Sequence, residues 1–346
     1  MKIKDLCSYA PKSRIKAGEA VDNAKYLFFT SSADENKRYT DFQFDKEAII
    51  MGTGGNATLH YHNGKFSVST DCLVLLPDPQ IKCKYLYYFF KSHMNVLEAG
   101  FKGAGLKHTN KKYIEDIEIN KVPDLITQDR IISRLDKISE NIEKLNRELG
   151  LFDSLVKARF VEMFGDPVSN SQALPKATLP ELGEFGRGVS KHRPRNDPKL
   201  LGGGYPLIQT GDVASSDLYI KNYISTYSEL GLSQSKMWRK GTLCITIAAN
   251  IAKTSILDFD ACFPDSIVGF VANEKTNNIY IHYWFSFFQD ILEAQAPESA
   301  QKNINLKILS ELKVICPSKK EQEQFSNFVQ QVDKSKYDDI RVEYKC

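Results

Sequence analysis

This chain has no CxxC pair, no apolar run of membrane-spanning length and no strong excess of either charge. Its seven cysteines lie scattered at positions 7, 72, 83, 244, 262, 316 and 346. That spacing suggests neither a zinc ribbon nor a disulfide framework and points to free thiols in the cytoplasm. The N-terminus, MKIKDLCSYAPKSR, lacks the apolar segment of a secretory leader, and nothing is long enough to span a bilayer. A net charge of +3 neither demands nor forbids a nucleic-acid partner.

Catalytic signatures are missing too. There is no Asn-Pro-Pro-Tyr or Asp-Pro-Pro-Tyr, and Asn196-Asp197-Pro198-Lys199 only echoes such a motif. Gly183–Ser190 imitates a P-loop but has Val189 where a lysine must reach the phosphates, so it reads as a flexible loop. His60 and His62 lack a third metal ligand and are expected on an exposed hairpin face. No metal site and no catalytic residue are therefore assigned.

What is present begins with a helix. Between Pro123 and Pro167, Ile131, Leu135, Ile138, Ile142, Leu145, Leu149 and Phe152 alternate in steps of four and three, a heptad seam. Asp124 is placed to cap the start, Gly165 to take the left-handed position after the end, and Pro167 to stop continuation. The other face carries acid-first pairs such as Glu140–Lys144 and Asp153–Lys157, each contributing a few tenths of a kcal/mol.

The text before this helix then recurs after it, at an offset near 194 residues. Asn56 falls on Asn250, Asp71 on Asp265, Asn110 on Asn305 and Gln128 on Gln322. Pro264-Asp265 with Glu311 and Lys313 could pass for a nuclease motif, but the repeat puts Thr70-Asp71, Asp116 and Glu118 there. In the second copy Ser318 and Glu321 form a capping box, and Phe325, Val329 and Val332 continue a seam. Beyond it Tyr337, Ile340 and Tyr344 make an apolar stripe in shifted phase, and this helix is shorter than the first. The layout is a globular unit and a helix, twice: residues 1–122, helix 123–166, residues 167–316, helix 317–346.

This layout resembles the specificity subunit of Type I restriction-modification systems. The matching text includes GTGGNATLHYHNGKFSVSTDCLVL (52–75), FVEMFGDP (160–167), GYPLIQTGDV (204–213), GTLCITIAANIAKTSILDFDACFPDSIVGF (241–270), SAQKNINLKIL (299–309) and PSKKEQEQF (317–325). The resemblance implies mixed α/β (α+β) target-recognition domains separated by long helices that form an antiparallel coiled coil with pseudo-twofold symmetry. It implies no catalysis and no cofactor on this chain. Double-stranded DNA would be read as two unlike half-sites about one helical turn apart. Two methyltransferase subunits would dock on the helices and domains, using S-adenosylmethionine on an adenine flipped from the stack. Restriction (motor-nuclease) subunits would join them. The alternative is a coiled-coil adaptor that binds proteins and never touches DNA.

For DNA contact the residues offer basic and amide-rich loops. Lys191, His192, Arg193 and Arg195 form the densest cluster, held extended by Pro194, and arginine forks onto guanine or phosphate. Lys107, His108, Lys111 and Lys112 match it in the first unit. Lys302 and Asn303 lie in an amide-rich stretch of the second copy, and amides suit adenine edges. Gln209 and Thr210 sit at a strand end. Asn110 and Asn305, shared by both copies, are more simply helix caps. The Asn56 and Asn250 turns suit a phosphate or a plain hairpin equally.

Overall fold

The computed structural model describes residues 1–248, 250–295 and 304–343, and side chains except those of 290–295 and 337–343. It forms two compact units, 1–144 and 145–346.

The first unit holds β1 (Cys7–Tyr9), β2 (Tyr26–Phe29), β3 (Arg38–Tyr39), β4 (Phe44–Gly52), β5 (Leu59–Val68) and β6 (Cys72–Pro77) in one sheet of order β1-β6-β4-β5-β2-β3. Central β4 is buried on both faces. Ile49 and Met51 point to one core with Leu86, Phe90 and Ile114, while Ala48 and Ile50 point to another with Phe29, Phe66 and Val74. This is the period-two alternation of a covered strand. Helices α1 (Cys83–Ser92), α2 (Met94–Ala99) and α3 (Lys111–Asp116) follow, then α4 (Leu125–Phe164). α1 and α2 are separated at His93, although Leu86, Phe90 and Leu97 keep a helical spacing across the break.

The second unit holds β7 (Lys176–Thr178), α5 (Leu179–Leu182), β8 (Gly183–Arg187), β9 (Leu201–Leu207), α6 (Thr210–Ala214), β10 (Tyr219–Ile220), β11 (Ser225–Tyr227), α7 (Glu229–Ser233) and β12 (Met237–Trp238). Then come β13 (Leu243–Thr246), β14 (Thr254–Leu257), β15 (Ala261–Cys262), β16 (Ile267–Ala272), α8 (Asn278–Gln295), α9 (Leu306–Glu311), β17 (Lys313–Ile315) and α10 (Lys319–Glu343). Its main sheet has order β10-β14-β13-β16-β8.

The repeat is real at the level of strand pairing. β1-β6-β4-β5-β2 corresponds to β8-β16-β13-β14-β10, with the same antiparallel neighbours and the same single parallel pair at the end of the series, beyond which the first sheet adds β3. Asn110 caps α3 by accepting the Tyr113 amide at 3.0 Å, and Asn305 caps α9 by accepting the Ile308 amide at 2.9 Å. Gln128 donates to the Pro123 carbonyl at 2.8 Å and Gln322 to the Pro317 carbonyl at 2.9 Å, both fully buried. A buried amide must find partners or pay its desolvation, so these glutamines fix where each helix starts. A further sheet of order β11-β9-β15-β12 belongs to the second unit and has no counterpart among the described residues of the first.

The ends of α4 are as expected. Asp124 accepts the Thr127 amide at 2.7 Å, and Gly165 takes φ +70° with its amide bonded to the Val161 carbonyl. The seam is not evenly covered. In the second unit α10 runs antiparallel to the last turns of α4: Phe325 meets Phe160 and Phe164, and eleven residues on, Lys336 pairs with Asp153. Phe325, Val329 and Val332 are buried there, and Leu145, Leu149 and Phe152 are partly buried. In the first unit Ile131 and Leu135 are half-buried, while Ile138 and Ile142 are 53% and 52% exposed. Within the second unit the seam is paired at its C-terminal end, in keeping with the shorter second helix. Of the shifted stripe, the side chains of Tyr337 and Ile340, and Tyr344 entirely, lie outside the described residues.

Other expectations also change. Gly183–Arg187 is strand β8 rather than a loop; a Cβ at Gly183 would strike the Val271 carbonyl of the neighbouring strand, so the glycine permits close pairing. His60 is buried, its ring bonded to Glu35 at 3.0 Å, not exposed.

His282 on α8 faces a polar cavity of about 320 Å³ lined also by Asp153, Asp217, Asp333 and Lys336. Its Nδ1 meets the Thr254 hydroxyl at 2.9 Å, and burial pulls the imidazole down to about 4. The folded state therefore favours neutral His282, and the unfolded chain takes up the proton first as pH falls. Its contribution is whole above pH 6.5 and is lost progressively as pH falls to about 4. Asp333, raised by burial, works in the opposite sense. The difference between wild type and His282→Asn is thus the informative quantity. The wild type should lose about 2–3 kcal/mol more than the variant on acidification through this window, measured by urea unfolding at stepped pH.

Candidate nucleic-acid interface

In the first unit the turn after β4 and the basic loop before α3 are joined. The Gly55 amide donates to the Lys107 carbonyl at 2.8 Å and the Thr109 amide to the Thr53 carbonyl at 3.0 Å. Two segments singled out separately in the sequence thus form one surface. Lys107 and His108 are exposed on it, with the His108 backbone paired to Lys102. Gly54 lies against the His108 ring, where a side chain would crowd it. Lys112 is exposed in the first turn of α3; Lys111 pairs with Glu115 at 3.4 Å and sits over the Tyr9 ring at 4.4 Å. Lys111 is therefore more committed within the protein than its sequence neighbours suggest. Thr30, which with Ser31 matches the strand-end pair Gln209-Thr210, is buried, and the Ser31 hydroxyl donates to the Asp71 carbonyl at 2.7 Å.

The second unit repeats the join: the Ile304 amide donates to the Ile247 carbonyl at 2.9 Å. Lys302 and Asn303 lie outside the described residues. Gln209 is exposed at the N-cap of α6, its amide donating to Asp212 at 2.7 Å, and Thr210 opens that helix.

The basic loop 191–195 is the best-formed candidate. The amides of Lys191 and His192 both donate to Gln234 Oε1, at 2.6 and 3.0 Å. The His192 ring meets Asp197 at 3.1 Å, and Asp197 is held below the usual carboxylate range first by the Lys199 amide and then by His192. Asn196–Lys199, the superficial motif echo, is thus a helix-capping turn. Arg193 and Arg195 both turn to Asp265. Neither Gln234 nor Asp265 stood out in the sequence as a partner of this loop. They lie 43 and 70 residues away, beyond any local pattern.

The arrangement supplies exposed cations, amides and glycine-permitted close approach, the chemistry of phosphate and base-edge contact. Among the described residues no helix is long and apolar enough to cross a membrane.

Comparison with known proteins gives one consistent answer. The family profile described as Type I restriction modification DNA specificity domain matches residues 1–150 and 177–341. The Type I restriction enzyme MjaVIII specificity subunit of Methanocaldococcus jannaschii is 27% identical over 141 residues, 40% of this chain and 33% of that protein. The matched segment therefore spans about a third of that relative. Among solved structures, the Type-I restriction-modification system S subunit from M. genitalium superposes with TM-score 0.62 at 17% identity, covering 99% of this chain and 91% of that one. The HsdS subunit from Thermoanaerobacter tengcongensis gives TM-score 0.43 at 14% identity, covering 99% and 90%.

Proposed function

The chain belongs to the Type I restriction modification DNA specificity domain family, and on that premise we propose that it reads a bipartite, asymmetric DNA target, one half with each unit. The observation that carries this reading is one strand order built twice with different polar loops. A duplicated frame with unlike loops suits two unlike half-sites. The loop carrying Lys107, His108, Lys111 and Lys112 would serve one half. Lys191, His192, Arg193, Arg195, Gln209, Thr210, Lys302 and Asn303 would serve the other. Phosphate contacts would supply affinity and base contacts the choice of sequence.

The chain itself would be non-catalytic and cytoplasmic. Two methyltransferase subunits would bring S-adenosylmethionine and the adenine pocket, and restriction subunits would complete the nuclease. The surface for such docking includes the uncovered α4 seam of the first unit. Ile131, Leu135, Ile138 and Ile142 line a cleft of about 500 Å³ with Tyr85 and Phe89 of α1. The second-unit counterparts of Ile131, Leu135, Ile138, Tyr85 and Phe89, namely Phe325, Val329, Val332, Tyr280 and Trp284, are buried in its core, while Ile142 is matched by Lys336, which pairs with Asp153. The open cleft of the first unit, apolar in its lining, would be where a helix from a modification subunit docks.

Binding to random-sequence duplex at stepped salt tests the reading. With modification subunits present, a retarded complex should form at low salt and weaken steeply between 50 and 200 mM, by about a thousandfold if six phosphates are engaged. No complex at any salt would favour the protein-only adaptor.

A further inference from the structure

The contacts around Asp265 divide the two arginines of the basic loop between two tasks. Asp265 sits on the turn between β15 and β16, a rigid place. Phe263 beside it is buried and stacked on Trp238 at 5.1 Å, the Ile267 amide bonds to the Pro264 carbonyl at 3.0 Å, and the Gly188 amide bonds to the Ile267 carbonyl at 2.9 Å. Its two carboxylate oxygens are shared out. Oδ1 accepts from Arg195 Nη2, and Oδ2 faces Arg193 Nη2 at 3.6 Å.

Arg193 is occupied at its other end as well. Its Nη1 donates to the carbonyls of Ser190 at 2.6 Å and His192 at 2.8 Å, which curls the loop back on itself. The two side chains are similarly exposed, Arg195 at 45% and Arg193 at 55%, so bonding rather than exposure tells them apart: Arg195 touches the fixed carboxylate through Nη2. The loop base is pinned separately by Gln234 and by the Ser235 hydroxyl, which donates to the Val189 carbonyl at 2.7 Å. The loop's path is therefore set without Asp265, and what Asp265 adds is the direction of Arg195.

We propose that Asp265 is a positioning residue that holds Arg195 ready to read a guanine edge in the half-site of the second unit. Arg193 acts as the staple that shapes the loop. An unrestrained arginine loses its rotamer freedom on binding and can reach several bases or phosphates. One tethered by a fixed anion has lost that freedom already and points one way. Guanine is the base whose O6 and N7 match an arginine fork. The device belongs to the second unit. The aligned Asp71 of the first unit instead offers its backbone carbonyl to Ser31 and Thr53. This inference rests on the proposed DNA reading.

The test is selection of binding sequences by the full chain, with modification subunits, from a randomised duplex pool. Wild type, Arg195→Ala and Asp265→Asn are compared. Arg195→Ala should lose a guanine preference in one half-site, with the other half-site intact. Asp265→Asn keeps the shape of the side chain and removes its charge. It should weaken the same preference about tenfold or more while binding to random duplex at low salt is kept or strengthened. Loss with Arg195→Ala but full preference with Asp265→Asn overturns the positioning role and leaves the loop as a reader. An unchanged preference with Arg195→Ala overturns both, while a surviving two-part motif would keep the proposed function. Selection of no motif by wild type overturns the function and this inference together.

Discussion

Replacing Phe160 by alanine is expected to destabilise the second unit by about 3–5 kcal/mol. Phe160 is fully buried at the centre of an aromatic cluster. It stacks on Tyr280 at 5.4 Å and 17° and meets Phe164, Phe287 and Phe325 at 5.0, 5.1 and 5.3 Å. Those rings come from α4, α8 and α10, so one truncation opens a cavity shared by three helices. Close packing leaves the surroundings little room to collapse into it. The Tyr280 hydroxyl is meanwhile anchored to the Ile315 carbonyl at 2.8 Å, which limits its own movement. Val161, next in sequence, is 40% exposed, and its change to alanine should cost under about 0.5 kcal/mol. Denaturant unfolding of the two variants checks the contrast; equal losses would mean that α4 is not docked as described.

The second large effect concerns assembly rather than folding. The double change Ile138→Asp and Ile142→Asp should leave the melting temperature nearly unchanged, because both side chains are already more than half exposed. If a modification subunit docks on this seam as proposed, the change should weaken its capture more than a hundredfold, since two unpaired carboxylates would enter an apolar contact and each buried charge costs several kcal/mol. Co-purification and calorimetric titration read the two quantities separately. Unaltered capture would remove the first-unit seam from the docking surface.

The same seam shows where sequence reading succeeds and where it stops. Its heptad spacing, the Asp124 cap and the Gly165 terminus are local features, and each stands in the structure. The repeat was legible because equivalent structural positions demand equivalent residues: Asn110 and Asn305 as exposed helix caps, Gln128 and Gln322 as buried amide anchors. Which half of the seam is covered was not legible, since Ile138 and Val332 are equally apolar on paper. Their burial differs because the C-terminal part of α4 packs on α10 in the second unit.

The loops were the least legible part. Charge density marked Lys191–Arg195 but could not say that Arg193 bonds two carbonyls of its own loop or that Asp265 meets both arginines. The partner Asp265 is distant in sequence, 70 residues from Arg195. The extra sheet of the second unit was missed for a related reason. Its strands are short, and one of them, β9, begins in the glycine-rich run Gly202–Gly204, which reads as a turn. His60, expected on an exposed hairpin face, is buried beside Phe29 with its ring bonded to Glu35.

The account's central claim is that one duplicated frame reads two separate stretches of one duplex. Mapping adenine methylation across a genome measures this most directly, in cells carrying the modification subunits with and without this chain. The predicted result is methylation at a single asymmetric motif of two short parts with a constant gap, absent when the chain is absent. A continuous or palindromic motif, or methylation indifferent to the chain, would contradict it.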